Sequence, residues 1–230
     1  MDIWSRLSAI VVALQESSAQ LAERLQQLIK NTGEARRSVA FTAAMIALSA
    51  KMAKADGVVT TDEILAFYEL FEIPEGEERN VARLFSLAQQ DVAGYDLYAE
   101  KLYQLLADDP QTCVDVLDGL FYIAKADGVI HEAELSYLEK VASIFRLEPV
   151  SFSRIKARHM RGHYDPYMVL GVDPEISDLD LQKVYRQEVR ETHPDRLIGR
   201  GVPEEFVRIA NERLAALNAA YAQVRAERGL

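Results

Sequence analysis

Four carboxylates recur at matched positions in the first part of the chain. Asp56 and Glu63 are followed 71 residues later by Asp127 and Glu134. If the two copies face each other, the four side chains converge on a hard cation such as Ca²⁺ or Mg²⁺, because these ions prefer oxygen ligands. The spacing is not that of an EF-hand, since aspartates at alternate positions are absent.

The same residues also have a purely structural interpretation. Thr60 followed three residues later by Glu63 matches a helix capping box, and an Asp-Gly dipeptide is ordinary turn chemistry. A divalent-cation site and helix capping therefore remain open as alternatives. The first would suit a metal-binding sensor or adaptor in stress response.

The elements that carry these carboxylates form an internal repeat. The sequence Lys-Ala-Asp-Gly-Val-Val at 54–59 recurs as Lys-Ala-Asp-Gly-Val-Ile at 125–130. Each copy is typical of a helix, an Asp-Gly turn and a second helix, with the glycine closing the first helix in a left-handed conformation. The glutamate then lies in the first turn of the next helix, where negative charge suits the helix dipole. The repeat predicts a duplicated helical hairpin.

A second group of polar residues, His193, Pro194 and Asp195, lies between two segments of helical periodicity. The segment 178–191 places apolar side chains three to four residues apart, the spacing of one helical face. Pro194 ends this helix, because proline disfavours helical backbone at the preceding residue and cannot donate to the helical hydrogen bonds. A long helix resumes near Pro203. We therefore expect His193 and Asp195 in an exposed loop between helices.

The remaining segments are helical as well, and the chain is predicted to be all-α. No sustained alternation of apolar and polar residues indicates a strand. Residues 1–35 are expected to form an N-terminal amphipathic helix that packs on the following domain, with membrane-surface binding or self-association as the alternative. We divide the rest into a helical domain at 36–161 and a C-terminal domain at 162–230.

Net charge and cysteine content exclude several classes of function. The chain has a net charge of −10 and an isoelectric point near 5.0, which argues against a nucleic-acid partner. A single cysteine, Cys113, excludes an intramolecular disulfide, and we expect it to be buried. No uncharged run approaches the roughly 20 residues that span a bilayer, so we expect no transmembrane segment and a cytoplasmic location.

A short basic island interrupts the acidic chain between residues 151 and 164. It could contact an acidic surface or an anionic lipid. Alternatively, it covers a helix end or a seam between domains. The island consists of Arg154, Lys156, Arg158, His159, Arg161 and His163.

The stretch 164–225 resembles the J-domain of the DnaJ family of co-chaperones. Four features match in order over some 60 residues, which makes the resemblance strong. They are the segment Asp165-Pro166-Tyr167-Met168-Val169-Leu170-Gly171-Val172, the pair Tyr185-Arg186, the tripeptide His193-Pro194-Asp195, and Asn218-Ala219-Ala220-Tyr221.

The repeat region, about residues 36–161, resembles the TerB-like helical domain, whose hallmark is the paired Lys-Ala-Asp-Gly motif. A TerB-like domain followed directly by a C-terminal J-domain is similar to the DjlA type of DnaJ-like protein. Members of that type typically begin with a glycine-rich membrane-spanning segment. This chain departs from them there, because charged residues such as Arg6 and Glu16 interrupt its N-terminal apolar stripe.

The resemblance implies a co-chaperone that is not itself an enzyme. It would bind the ATP-bound form of a DnaK-type chaperone and stimulate that partner's ATP hydrolysis, so that the partner clamps a client protein. The TerB-like domain would select clients, partners or a homo-oligomeric state. The implied partner-binding residues are His193, Pro194, Asp195, Lys183, Arg186 and Arg190.

Within this implied site, the three basic residues lie on one helical face and would steer docking, although a merely solvated face is the alternative. Glu188 stands where the family usually has leucine, and Glu191 follows it. We expect these acids to dilute the positive charge of the face, so that docking is weak or tuned to a particular partner. Either a slipped core contact or a specialised surface would explain Glu188. No nucleophile paired with a base, glycine-rich phosphate loop or HExxH motif indicates an enzyme.

Overall fold

A computed structural model of the protein describes residues 34–55, 60–71, 73, 75–90, 94–106, 109–160, 165–199 and 207–230. These residues form eleven α-helices and no strand, which confirms the all-α prediction. The helices are α1 (Glu34–Ala53), α2 (Thr61–Phe71), α3 (Glu78–Gln89), α4 (Tyr95–Leu105), α5 (Pro110–Ala124), α6 (Glu132–Ile144), α7 (Pro149–His159), α8 (Pro166–Leu170), α9 (Asp178–Thr192), α10 (Pro194–Gly199) and α11 (Val207–Arg228).

The chain divides into two compact units between Arg146 and Leu147. By packing, α7 belongs to the C-terminal unit, whereas the domain boundary predicted from the sequence lies at residue 161. The predicted boundary follows the extent of the resemblance to the TerB-like domain, whereas the packing division places α7 with the helices that it contacts. The predicted N-terminal amphipathic helix at 1–35 falls almost entirely outside the described residues. No helix in the described part of the chain is long and apolar enough to span a bilayer.

The core of the N-terminal unit forms around α1, which packs against α3, α4, α5 and α6. Helix α1 suits this central position because its side chains from Phe41 to Ala53 are all buried. The hydroxyl of Tyr137 on α6 donates a hydrogen bond of 2.9 Å to the backbone carbonyl of Leu48. Burial raises the pKa of Tyr137 well above its usual value, so the phenol remains a donor. This bond ties α6 to the middle of α1.

Local sequence signals set the helix boundaries in this unit. Asp109 caps α5, because its Oδ1 accepts a hydrogen bond of 3.3 Å from the backbone N–H of Thr112, and Pro110 occupies the first helical position. After α5, Gly128 has a φ of +95°, a backbone conformation that favours glycine. The left-handed glycine predicted for the second Lys-Ala-Asp-Gly motif is therefore confirmed, although it lies in the turn beyond the last helical residue, Ala124.

The C-terminal unit has a small apolar core of its own. Helices α8, α9 and α11 bury side chains against one another, and α7 packs against α8. Ala157 of α7 lies against the same core. The fully buried members of this core are Val169, Leu170, Leu181, Leu217, Ala220 and Val224.

A single arginine holds the C-terminal end of α11 against the rest of this unit. Arg228, the last residue of α11, donates to the Tyr167 hydroxyl at 3.2 Å and to the Asp178 carboxylate at 2.7 Å. It also donates to the backbone carbonyls of Pro174 and Ile176 at 2.7 and 2.8 Å. These bonds join the end of α11 to the segment between α8 and α9.

Candidate partner-binding site

Helix α9 positions the candidate site, and its own sequence determines where it begins. Ser177 has an extended backbone, and its Oγ accepts a hydrogen bond of 3.2 Å from the N–H of Asp180. A serine in this N-cap position satisfies one of the unpaired donors of the first helical turn. Leu181 is buried in the core of the unit, and the ring of Tyr185 stacks on that of Tyr221. Capping and packing together fix the direction of α9.

The helix ends where the sequence predicts. Thr192 is the last helical residue and is buried, and Pro194 begins the next helix. The N–H of Arg196 donates to the carbonyl of His193 at 2.9 Å. His193 therefore joins two helices directly. The expected loop is instead a one-residue junction, because Pro194 is as well suited to start a helix as to end one.

His193 and Asp195 form a local pair on the surface. The backbone N–H of Asp195 donates to Nδ1 of His193 at 3.3 Å, and a carboxylate oxygen of Asp195 lies 3.6 Å from the same nitrogen. The two side chains are 53% and 85% exposed, respectively. A neutral imidazole that accepts at Nδ1 carries its proton on Nε2. The junction thus offers a carboxylate acceptor and an imidazole donor to a partner.

The three basic residues of α9, Lys183, Arg186 and Arg190, are all exposed, and we call them the basic face. Lys183 pairs with Asp180 at 2.9 Å. This hydrogen bond, together with a second one from Ser177, lowers the pKa of the Asp180 carboxyl. The structure therefore brings the basic face and the His-Pro-Asp junction onto one helix and its end, as the sequence predicts.

The two acids near the junction differ in their surroundings. Glu188 forms an ion pair of 3.1 Å with Arg154 of α7. Glu191 accepts a hydrogen bond of 3.0 Å from Gln187, one turn earlier on α9. At 3.6 residues per turn, Glu188 points about 170° away from the mean direction of the basic face. This geometry favours a slipped core contact at Glu188 over a specialised surface, and it turns the carboxylate away from the basic face.

The carboxylates proposed for a cation have structural partners wherever the structure describes them. Glu63 accepts from the N–H and the hydroxyl of Thr60 at 2.7 and 2.8 Å, and Thr60 accepts in return from the N–H of Glu63. Glu134 accepts from the N–H of His131 at 2.8 Å. Asp127 accepts from the N–H of Val129 at 2.9 Å. These bonds are those of capping boxes and an Asp turn.

These contacts give the divalent-cation hypothesis no support. Glu63 and Glu134 are both buried and turned into their own helix starts. Asp56 lies outside the described residues. Within the ranges that the structure describes, no group of three or more His, Cys, Asp and Glu residues could hold a metal ion.

Other residues singled out from the sequence are buried or pair with neighbouring helices. Cys113 is buried, as expected, and burial raises the pKa of its thiol to about 12, with Asp109 and Asp115 adding to the shift. Of the basic island, Arg154 donates to the last carbonyl of α8 within the C-terminal unit, which fits the helix-end alternative, and His159 is buried. Arg161 and His163 lie outside the described residues.

Three features with a role in positioning are absent from the sequence prediction. Arg154 contacts residues far along the chain, and Arg228 does the same from α11. Lys51 is buried on α1 with its ammonium 5.3 Å from the ring centre of Tyr98. No short motif marks such contacts, because each joins residues that are more than 15 positions apart.

Comparison with known proteins gives matches for most of the chain. The family described as tellurite resistance protein TerB matches residues 42–157. A protein named co-chaperone protein DjlA from Photobacterium profundum is 27% identical over 223 residues, covering 84% of this chain and 79% of its own length. One of the same name from Coxiella burnetii is 26% identical over 202 residues, covering 78% and 74%.

A shorter and closer match is also present. The co-chaperone protein DjlA of Shewanella oneidensis is 39% identical over 66 residues, which is 29% of this chain and 25% of that protein. No solved structure matches the chain. The family match covers half of the sequence, and the DjlA relatives extend over most of it. The chain therefore belongs to the tellurite resistance protein TerB family and is a DjlA-type protein with a TerB-like domain.

Proposed function

We propose that this protein is a co-chaperone that docks α8 to α11, as a J-domain, on a DnaK-type chaperone and stimulates the ATP hydrolysis of that partner. The observation that carries the proposal is the exposed His193-Asp195 pair at the end of a helix whose basic face is also exposed. The names of the DjlA relatives support the co-chaperone role. The protein would act as a regulator of its partner rather than as an enzyme.

The chemistry of the junction suits the capture of a positively charged partner residue. A carboxylate that is 85% exposed can accept charge-assisted hydrogen bonds from an arginine while it stays beside His193. Pro194 limits the backbone at the first position of α10, between the two side chains. The basic face would add electrostatic steering, which mainly increases the rate of association.

The decisive experiment measures ATP turnover by a purified DnaK-type chaperone in the presence of increasing amounts of this protein. We expect the wild-type chain to raise turnover and His193→Gln to abolish the rise while leaving the circular dichroism spectrum unchanged. Gln223→Ala, which alters an exposed residue on α11, is the matched control and should stimulate normally. Equal stimulation by wild type and His193→Gln would refute the assignment.

The role of the TerB-like domain stays a prediction. In the proposed arrangement it would select clients or partners for the chaperone or set a homo-oligomeric state. A cytoplasmic location, with peripheral membrane association as the alternative, is likewise proposed from the sequence.

A further inference from the structure

We propose that Arg154 is a positioning residue for the partner-binding helix α9, acting through Glu188, and that α7 is therefore a working part of the proposed J-domain. This inference rests on the proposed function. It assigns a role to a residue that lies outside the stretch resembling a J-domain. It also gives a reason for the glutamate that replaces the usual leucine at position 188.

The guanidinium of Arg154 connects three helices at one point. It extends from α7 and forms the ion pair of 3.1 Å with Glu188 on α9. The same nitrogen, Nη2, donates at 3.1 Å to the backbone carbonyl of Leu170, the last residue of α8. Carbonyls at a helix end are unpaired and carry partial negative charge, so a cation is favoured there. The Arg154 side chain thus pairs with the Glu188 carboxylate and also donates a hydrogen bond to the last carbonyl of α8.

The space around this side chain is fitted to it. Gly171 follows Leu170 with a φ of +67°, and a Cβ built at this position would overlap the Arg154 guanidinium. Any other residue would be strained in this backbone conformation, and the guanidinium would have to shift to make room for its side chain. Gly171 is part of the segment that resembles the start of a J-domain, so the fit joins that segment to α7.

Burial makes the ion pair stronger than an ordinary surface pair. The side chains of Arg154 and Glu188 are 23% and 27% exposed, whereas those of Lys183 and Asp180 are 77% and 56% exposed. Charges shielded from water interact more strongly, and losing one of them leaves the other poorly solvated. Ile155, the next residue of α7, is fully buried. The pair therefore contributes more to holding α9 than an exposed pair would.

Position along α9 connects this contact to docking. Glu188 lies five residues before His193, in the last two turns of the helix, and on the side opposite the basic face. An anchor there holds the back of the helix while its front remains available. If the anchor is removed, the end of α9 samples more orientations and fewer molecules are ready to dock. The apparent affinity falls in proportion to the fraction of molecules that remains competent to dock. The stimulated rate at saturation is retained.

The test uses the full-length chain and a double-mutant cycle of Arg154→Ala, Glu188→Ala and the double variant. The first readouts are the concentration that half-saturates stimulation of a DnaK-type chaperone and the plateau rate. We expect each single change to raise the half-saturating concentration about fivefold with an unchanged plateau, and the double variant to show about the same rise because the two residues act as one unit. Glu188→Gln, which keeps the shape, should give a smaller rise.

A second readout does not depend on the partner. In the free protein, the backbone amide resonances of Thr192, His193 and Asp195 should shift in both single variants and remain unchanged in Lys156→Ala, which removes a neighbouring cation from α7. If the wild type fails to stimulate the chaperone, the proposed function is refuted, and these resonances still decide whether Arg154 positions the junction.

Three results would overturn the positioning role. One is a double variant whose effect is the product of the two single effects. The second is an unchanged half-saturating concentration in both singles, even if their melting temperatures fall. The third is an equal effect of Lys156→Ala on the junction resonances.

Discussion

The ring of Tyr185 on α9 lies flat on the ring of Tyr221 on α11, with centroids 3.8 Å apart and planes inclined by 3°. The Tyr185 hydroxyl continues across the same interface and donates to Asn218 at 2.8 Å. Tyr185 precedes Arg186 of the basic face, so the stack anchors α9 beside the residues proposed to bind the chaperone. Stacked aromatic pairs add to the energy of burial itself.

Removing this stack should loosen α9 from α11. We expect Tyr185→Ala to lower the free energy of opening of α9 by about 2 kcal/mol, since the ring is partly buried and the pair contributes beyond its area. Tyr185→Phe keeps the stack and loses one hydrogen bond near the surface, which costs about 0.5 to 1 kcal/mol. Amide hydrogen exchange at Leu181 and Val224 measures both values. Equal effects of the two substitutions would contradict a contribution from the rings.

The basic face should control docking through charge. Replacing Arg186 by Gln should raise the half-saturating concentration for chaperone stimulation about three- to tenfold at low salt, because long-range attraction is lost while the junction is intact. The effect should shrink as salt screens the wild-type charge. Arg225→Gln, an exposed change on α11, is the control for charge elsewhere. An effect of Arg186→Gln that is independent of ionic strength would indicate direct packing instead.

Acid should weaken the start of α9 through Asp180. Hydrogen bonds from Lys183 and Ser177 lower the pKa of this carboxyl in the folded protein. A lowered pKa means that the folded state binds the proton less tightly than the unfolded state, so the stabilisation is present above the usual carboxyl pKa and is lost as pH falls through the lowered value.

This acid effect can be measured from the exchange or the chemical shift of the Asp180 and Leu181 amides across the acidic range. Asp180→Asn removes the titrating group and should flatten the response at the start of α9. The neighbouring Asp178, which pairs with Arg228, is unchanged in that variant. An unchanged acid response in Asp180→Asn would assign the effect to another carboxyl.

Cys113 should be unreactive while the protein is folded. Burial, with smaller contributions from Asp109 and Asp115, raises the pKa of its thiol to about 12, and the thiolate is the reactive form. A raised pKa on an acid stabilises the fold below the ordinary thiol value, and this contribution is lost as pH rises towards 12. Thiol reagents near neutral pH should label the chain only upon unfolding by denaturant. Rapid stoichiometric labelling of the folded protein would show that the site is open.

The capping boxes should respond to mutation and not to divalent cations. Thr60→Ala should destabilise the N-terminal unit by about 1 kcal/mol, because Glu63 and the first turn of α2 lose their reciprocal bonds. Thermal melting of wild type with Ca²⁺, with Mg²⁺ and with chelator should give the same midpoint. A clear rise with either cation, absent in Asp127→Asn, would restore the cation hypothesis.

Local chemistry makes much of this structure predictable. Pro194 marks the end of α9, and Asp109 with Pro110 marks the start of α5, because proline and capping residues act within a few positions along the chain. Thr60 and Glu63 form the capping box that their spacing indicates. The candidate site can be predicted in the same way, because the residues of the basic face and of the junction follow one another along the chain.

Contacts between distant segments are not predictable in the same way. Arg154 belongs to a basic island, and nothing in that local pattern shows that its partners are Leu170 and Glu188. The burial of Lys51 is equally hard to predict, because its side chain is buried only when the other helices pack around α1. The short helix α10 is not predicted either, because a proline that stops one helix does not show by itself that it starts another.

The Arg154–Glu188 pair also has a consequence for the exchange of domains between proteins. Arg154 lies inside the segment that matches the TerB family, which ends at residue 157, and Glu188 lies beyond it. A recombination junction drawn between residues 157 and 165 would separate the two charges and would leave the half-buried Glu188 carboxylate without its arginine. In an engineered chimera, the transferable piece therefore begins before α7.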